Sequence, residues 1–224
     1  PNDALYFRDR WMDKHRKEIP KSFSEDHKQA SVSVFGALED HFQGPLLQKV
    51  NRMNTFAHLV AEILDNAYFV CLDRSPIFHA QSLLIARRFI PGDDSRSYGI
   101  QGDKPEDTQP SKNPIESVCR QVIFHKELLK KQQERIGKDR FIHMPYESFC
   151  EDPALWVKEI AGRFLKISPD VNELRTNIGK MKLSASIKID RNEFDQIIKT
   201  FKSIKENGEE PQNLISDAEL ILST

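Results

Sequence analysis

Arg74, Ser75 and Ser82 are the residues whose types and spacing point most directly to chemistry. They lie in FVCLDRSPIFHAQSLL (69–84), where an apolar run is followed at once by Arg-Ser-Pro. Ser75 and Pro76 are the residue types of a helix N-cap and first helical position, so the pattern predicts a helix over 76–90. The first turn of such a helix offers unbonded N–H groups and the positive end of the helix dipole, which together favour an anion. Arg74 adds a planar fork of donors that matches phosphate oxygens. Ser82 returns to the face of Ser75 two turns on, about 10 Å along the axis. A phosphate lying along the helix can therefore be held by Arg74 on one side and the Ser82 hydroxyl on the other. Spacing alone leaves an alternative open, in which Arg74 pairs with a surface carboxylate and Ser82 merely packs.

The elements that must position these residues follow from the hydrophobic pattern. Amphipathic periodicity predicts helices over 3–18, over 24–42 with Ser24 as cap, over 53–65 and over 115–136. Further helices are predicted over 153–166 behind Asp152-Pro153, and over about 191–206. Three short apolar runs read as strands: LLQKV at the end of 43–50, NAYFVCL (66–72) and RFIHMPY (140–146). The second has the continuous character of a parallel strand buried on both faces. Residues 91–114 form a long polar loop, and GKMKLSASIKIDR (179–191) is a basic segment. Strand–helix alternation from residue 45 onward implies an α/β fold with a parallel sheet. Ligands in such sheets bind beyond the carboxyl ends of the strands, which selects Lys49 to Asn54, Asp73 to Ser75, and Tyr146 with Glu147.

Composition narrows the function classes. The chain has 224 residues, 38% of them hydrophobic and 30% charged, enough for one helix-rich domain with a solvated surface. A formal net charge of −1 gives no global basic field for nucleic-acid binding, although local basic pockets remain open. Cys71, Cys119 and Cys150 are odd in number, far apart and without CxxC spacing, so they read as reduced buried thiols and not as zinc ligands or disulfides. No apolar run reaches the ~18 residues of a membrane span. A reducing cytoplasm is the expected setting; because the sequence starts at Pro1, a Golgi lumen follows instead if an N-terminal anchor has been removed.

With these residues in view, the sequence resembles the sulfotransferases that use 3′-phosphoadenosine 5′-phosphosulfate (PAPS). Their 3′-phosphate motif is an apolar strand ending in Arg-Asp-Pro, with a serine eight residues after the arginine. Here Arg74, Pro76 and Ser82 keep that separation, and Ser75 replaces the aspartate. Upstream, Lys49, Asn54 and Asn66-Ala67-Tyr68-Phe69 are similar to the family's lysine, asparagine and lead-in to the motif strand. Downstream, Tyr146, Glu147, Asp152, Pro153, Phe164 and Leu165 are in register with its Tyr-Glu…Asp-Pro…Phe-Leu segment. The resemblance covers roughly 45–167.

The resemblance implies a helix-rich, three-layer parallel-sheet fold of the P-loop type, forming a single domain over 1–206 with an acidic tail at 207–224. It implies sulfuryl transfer from PAPS to a hydroxyl or amine on a small-molecule or glycan acceptor, without a metal. Arg74, Ser75 and Ser82 would bind the 3′-phosphate. Lys188 and Arg191 of the basic segment would lie where the family has a loop closing over that phosphate, a solvated charge run being the competing reading. Lys49 would stand near the transferring group, with Glu39, His41 or His58 as general base. The family's glycine-containing loop for the 5′-phosphosulfate does not occur in this sequence, so the chain is expected to lack its first strand and loop. Two rivals stay open: a binding module on the same fold without catalysis, and a kinase-like P-loop enzyme. The sequence leaves the oligomeric state undetermined.

Overall fold

Ser24 has extended backbone and its hydroxyl accepts the His27 amide, so helix α1 starts at Glu25, as the capping pattern predicts. The computed structural model describes residues 21–90, 92–100 and 112–206. In chain order these form α1 (Glu25–Phe42), α2 (Met53–Ile63), β1 (Phe69–Asp73), α3 (Pro76–Phe89), α4 (Pro114–Ile136), β2 (Phe141–Pro145), α5 (Tyr146–Glu151), α6 (Pro153–Ile160), α7 (Val171–Ile178) and α8 (Arg191–Glu206). Strands β1 and β2 form a small parallel sheet. The helices between them supply the crossover that parallel pairing requires.

The structure is thus helix-rich α/β, with two strands among the described residues; the three-layer P-loop form remains what the resemblance implies. Three expectations are corrected. Residues 45–50 form no strand: Pro45 precedes the run, Leu47 is 98% exposed, and Leu46 and Val50 are only half-buried. Strand β1 is not buried on both faces, since Val70 and Leu72 are exposed and alternate with half-buried neighbours. The helix expected over 153–166 ends at Ile160. It continues as a wider π turn, Ala161–Leu165, closed by Lys166 at φ 58°. Helix α7 is an addition to the expected elements: Val171, Leu174 and Ile178 recur at helical spacing over only two turns, and Asp170 caps it by accepting the Glu173 amide. The predicted helix 3–18 and the acidic tail 207–224 lie outside the described residues.

The chain divides into two compact units. The first comprises residues 1–69 and 128–140, and buries Phe56, Leu59 and Ala61 of α2. The second comprises 70–127 and 141–224 and holds the larger core. There Phe194, Ile197, Phe201 and Ile204 repeat at helical spacing on α8 and meet Ile77, Phe78 and Leu84 of α3 and Val118 and Val122 of α4. A smaller cluster of Ile142, Met144 and Phe164 lies under β2.

The buried stripe of α3 also carries two polar side chains, Gln81 at 1% and Arg87 at 0% exposure. Arg87 donates to Ser117 Oγ at 3.1 Å and Gln121 Oε1 at 2.9 Å, and Gln121 Nε2 donates to the Tyr98 and Ile100 carbonyls at 2.8 Å each. Segment 92–100 is therefore held by hydrogen bonds rooted in the core. Phe194 is fully buried with its ring 5.8 Å from that of Phe78. Phe194→Ala is expected to cost about 3–5 kcal/mol, the range for removing a large core side chain, as read by urea denaturation of the second unit. A change below ~1 kcal/mol would mean that α8 does not pack as described.

Candidate functional site

The carboxyl end of β1 and the start of α3 meet at Arg74. Its Nη1 donates to Ser82 Oγ at 2.9 Å, so the two residues singled out by spacing are in direct contact. Its Nη2 donates to the Ser184 carbonyl, 110 residues further along the chain. The guanidinium carbon lies 5.7 Å from the Phe78 ring centre and 5.4 Å from that of Tyr146, so aromatic faces flank the cation. The Tyr146 hydroxyl accepts the Ser184 amide at 3.2 Å.

Segment 184–188 is fastened from below by Gln81. Its Nε2 donates to the Ser186 carbonyl at 3.0 Å and its Oε1 accepts the Lys188 amide at 2.8 Å. Lys188 Nζ donates to Ser184 Oγ at 2.9 Å, which brings an exposed ammonium to the same strap.

Two polar atoms of this cage are buried without a hydrogen-bond partner among the described residues: Arg74 Nε and Ser75 Oγ. Buried polar atoms are nearly always satisfied, so such a pair is a pointer to a ligand. Ser75 stands at the N-cap position of α3 and Pro76 at its first turn, as expected, yet the Ser75 hydroxyl makes no cap bond. The Ser75 amide instead donates to Glu147 Oε1 at 3.0 Å. The negative charge answering this helix terminus is thus a side-chain carboxylate, Glu147.

Asp73, the last residue of β1, accepts from Lys126 Nζ at 2.5 Å and from His143 Nε2 at 2.8 Å through one oxygen. Lys126 Nζ also donates to the Arg74 carbonyl at 3.1 Å, which fixes the turn carrying the arginine. Burial alone would raise the Asp73 carboxyl, but the His143 hydrogen bond and the Lys126 ammonium outweigh it and hold it below its ordinary value. Burial likewise pushes the Cys71 thiol up to about 12, so this cysteine is inert, and all three cysteines are free.

On α3, His79 lies one turn past Ser75, its ring centre 6.2 Å from that of His125. Burial, reinforced by the charges of His125, Lys126 and Arg74 against the opposing Asp73, pushes the His79 imidazole down to about 4. His125 is also lowered by burial, against the opposing effect of its hydrogen bond to the Ile100 carbonyl.

The structure brings together Arg74, Ser75, Ser82 and Lys188. It does not bring Arg191 to this group: that side chain pairs with Asp195 at 3.2 Å within α8. Lys49, Glu39 and His41 belong to the first unit. Lys49 is exposed in the irregular segment before α2, Glu39 accepts from Asn66 Nδ2 at 3.2 Å, and the His41 ring lies 5.0 Å from that of Phe42. His58 is engaged at both ring nitrogens, by Gln132 Oε1 at 2.9 Å and by Arg135 Nη1 at 2.8 Å, so it is a packed histidine without a free basic nitrogen. Sequence reasoning did not assign Gln81, Lys126, His79 or His143 to the site. Gln81 and Lys126 look like ordinary helix-surface residues, and only a histidine one turn from two serines carries any local signal.

No family model, curated protein or solved structure matches the chain. Among the described residues no group of three or more His, Cys, Asp or Glu is placed to hold a metal ion, and no helix is long and apolar enough to cross a membrane.

The histidines give the second unit a pH dependence. Unfolded His79 takes up a proton near pH 6.5, while the folded imidazole stays neutral down to about 4. Between those values the unfolded chain binds more protons, so stability falls as pH is lowered through the window. His79→Leu is expected to flatten the loss of urea stability between pH 6.5 and 4, His125 retaining a smaller share. Identical slopes in the two proteins would show that His79 is accessible to protons in the fold.

Proposed function

We propose that the protein transfers a sulfuryl group from PAPS to an acceptor hydroxyl or amine, with the cage around Arg74 taking the 3′-phosphate. The observation that carries this reading is the Arg74–Ser82 hydrogen bond beside two buried unpartnered polar atoms, Arg74 Nε and Ser75 Oγ. These residues fit a phosphate: guanidinium and hydroxyl donors converge, and Lys188 adds an ammonium from the strap. A phosphate oxygen would take over the Arg74 donor that meets the Ser184 carbonyl. The aromatic faces of Phe78 and Tyr146 hold the guanidinium plane while that exchange occurs.

In the reaction, the bond between sulfur and the 5′-phosphate oxygen breaks as the acceptor oxygen or nitrogen bonds to sulfur. The acceptor proton passes to a base. Catalysis of this kind relies on in-line positioning and on stabilising charge at the equatorial and bridging oxygens. Lys49 is the proposed electrophile, and Glu39 or His41 the proposed base, on the family resemblance. The second reading, a nucleotide-binding module without transfer activity, needs only the cage around Arg74. Release of 3′-phosphoadenosine 5′-phosphate from PAPS in the presence of an acceptor pool separates the two.

Calorimetric titration tests the 3′-phosphate site directly. 3′-Phosphoadenosine 5′-phosphate is expected to bind more tightly than AMP. Arg74→Ala should weaken the bisphosphate by ~1.5–3 kcal/mol, the value of one charge-assisted contact, with little effect on AMP. Equal affinities for the two nucleotides, or equal losses in the variant, would refute the assignment.

A further inference from the structure

The first unit contains a pocket of about 510 Å³, none of whose lining residues belongs to the Arg74 cage. Its size is that of sites which bury small organic ligands. Four of its lining residues are basic, Lys21, Lys28, Arg135 and Arg140, against one carboxylate, Glu62. In a chain of formal net charge −1 this concentration of positive charge does not follow from composition.

The hydrogen bonds fix how that charge is presented. Arg140 donates to the carbonyls of Ala61, Leu64 and Ala67 at 3.0, 2.6 and 3.0 Å, so it closes the end of α2 while facing neutral oxygens. Arg135 is aimed by a relay. Gln132 Oε1 accepts both the backbone amide and Nδ1 of His58, at 2.8 and 2.9 Å, leaving His58 Nε2 to accept from Arg135 Nη1 at 2.8 Å. An imidazole nitrogen that accepts from a guanidinium is unprotonated, so His58 is the neutral Nδ1–H tautomer and adds no competing charge. One donor of Arg135 is used in this anchoring, which leaves its others for a ligand. Lys28 is shared with Glu25 at 2.6 Å on the exposed side. The lining also includes Phe23 and Leu59, and the Phe23 ring is steadied edge-on by Phe56 at 6.2 Å.

We infer that this pocket binds a small organic anion: an apolar or aromatic body against Phe23 and Leu59, carrying a carboxylate, sulfate or phosphate group on Arg135 and the two lysines. A purely apolar ligand would leave the charge of Arg135 uncompensated, since its partner His58 is neutral, and an inorganic anion would leave Phe23 and Leu59 uncovered. The inference stands whether or not the Arg74 cage holds a 3′-phosphate.

The test uses the full chain and two fluorescent probes of similar shape, anionic 8-anilinonaphthalene-1-sulfonate and neutral N-phenyl-1-naphthylamine. The sulfonate is expected to bind at one site, more tightly than the neutral probe, and to be displaced by 4-nitrophenyl sulfate. Arg135→Ala should weaken it about tenfold, as should the exposed double variant Lys21→Ala/Lys28→Ala, which leaves the His58 relay untouched. Absent sulfonate binding, equal affinity for the neutral probe, or sulfonate affinity unchanged in the lysine double variant would each overturn the proposal.

Discussion

A guanidinium flanked by two aromatic rings at the end of β1 is the centre on which separate stretches of the second unit converge. Arg74 bonds to Ser82 one way and to the Ser184 carbonyl another, with Phe78 and Tyr146 against it. Its immediate carboxylate neighbours are both engaged elsewhere. Asp73 is taken by Lys126 and His143, and Glu147 by the Ser75 amide. Had either closed on Arg74, the result would have been a tight ion pair of structural value only. Because both are diverted, the guanidinium meets neutral oxygens, and a neutral partner is one that an anion can displace. The electrostatic design is therefore one of diversion: acids are kept near the arginine but occupied.

The same helix solves a second problem, which is how to tie long irregular segments to a core. Its buried stripe is apolar except at Gln81 and Arg87, and each of these sends hydrogen bonds to a loop: Gln81 to 186–188, Arg87 through Gln121 to 98–100. Buried polar groups cost stability unless satisfied, and here the satisfying partners are loop backbone atoms. A loop that lets go leaves a buried amide or guanidinium without its acceptor. That cost adds to what the segments' own side chains contribute, Ala185 and Ile187 packing on the core and Asp94 pairing with Arg88, in holding 92–100 and 184–188 in place.

The features legible in the sequence were the local ones. Ser24 capping α1 and Asp152-Pro153 starting α6 are short-range rules of backbone satisfaction, the period of α8 is a local hydrophobic pattern, and the structure has all three. That Arg74 and Ser82 belong to one site was legible because both lie on or beside one helix, although the sequence pattern sets a phosphate between them and the structure has them in direct contact. The strap could be placed near the site only by resemblance, because nothing in SASIK specifies a partner more than a hundred residues away. The strand expected at 45–50 failed for the complementary reason: an apolar run becomes a strand only when a neighbouring strand accepts it, and pairing is a tertiary fact. Helix α7 escaped because its apolar stripe, Val171, Leu174 and Ile178, spans only two turns, and its cap and packing on α6 complete it. Lys126 and His143 were invisible for the same reason as Ser184, each gaining its meaning from a neighbour distant in sequence.

Gln81 has a consequence for how such a chain can change over generations. Its donor end and its acceptor end are both spoken for by the strap. Glutamate lacks the donor, methionine has neither group, and asparagine is a methylene short. Position 81 and backbone 186–188 therefore form a lock whose two halves must be inherited together. Ser82, one residue along, answers to Arg74 instead and is free to follow a separate history. In a set of related chains, glutamine at this position would mark those that keep the strap, even where the strap's own sequence has drifted beyond alignment.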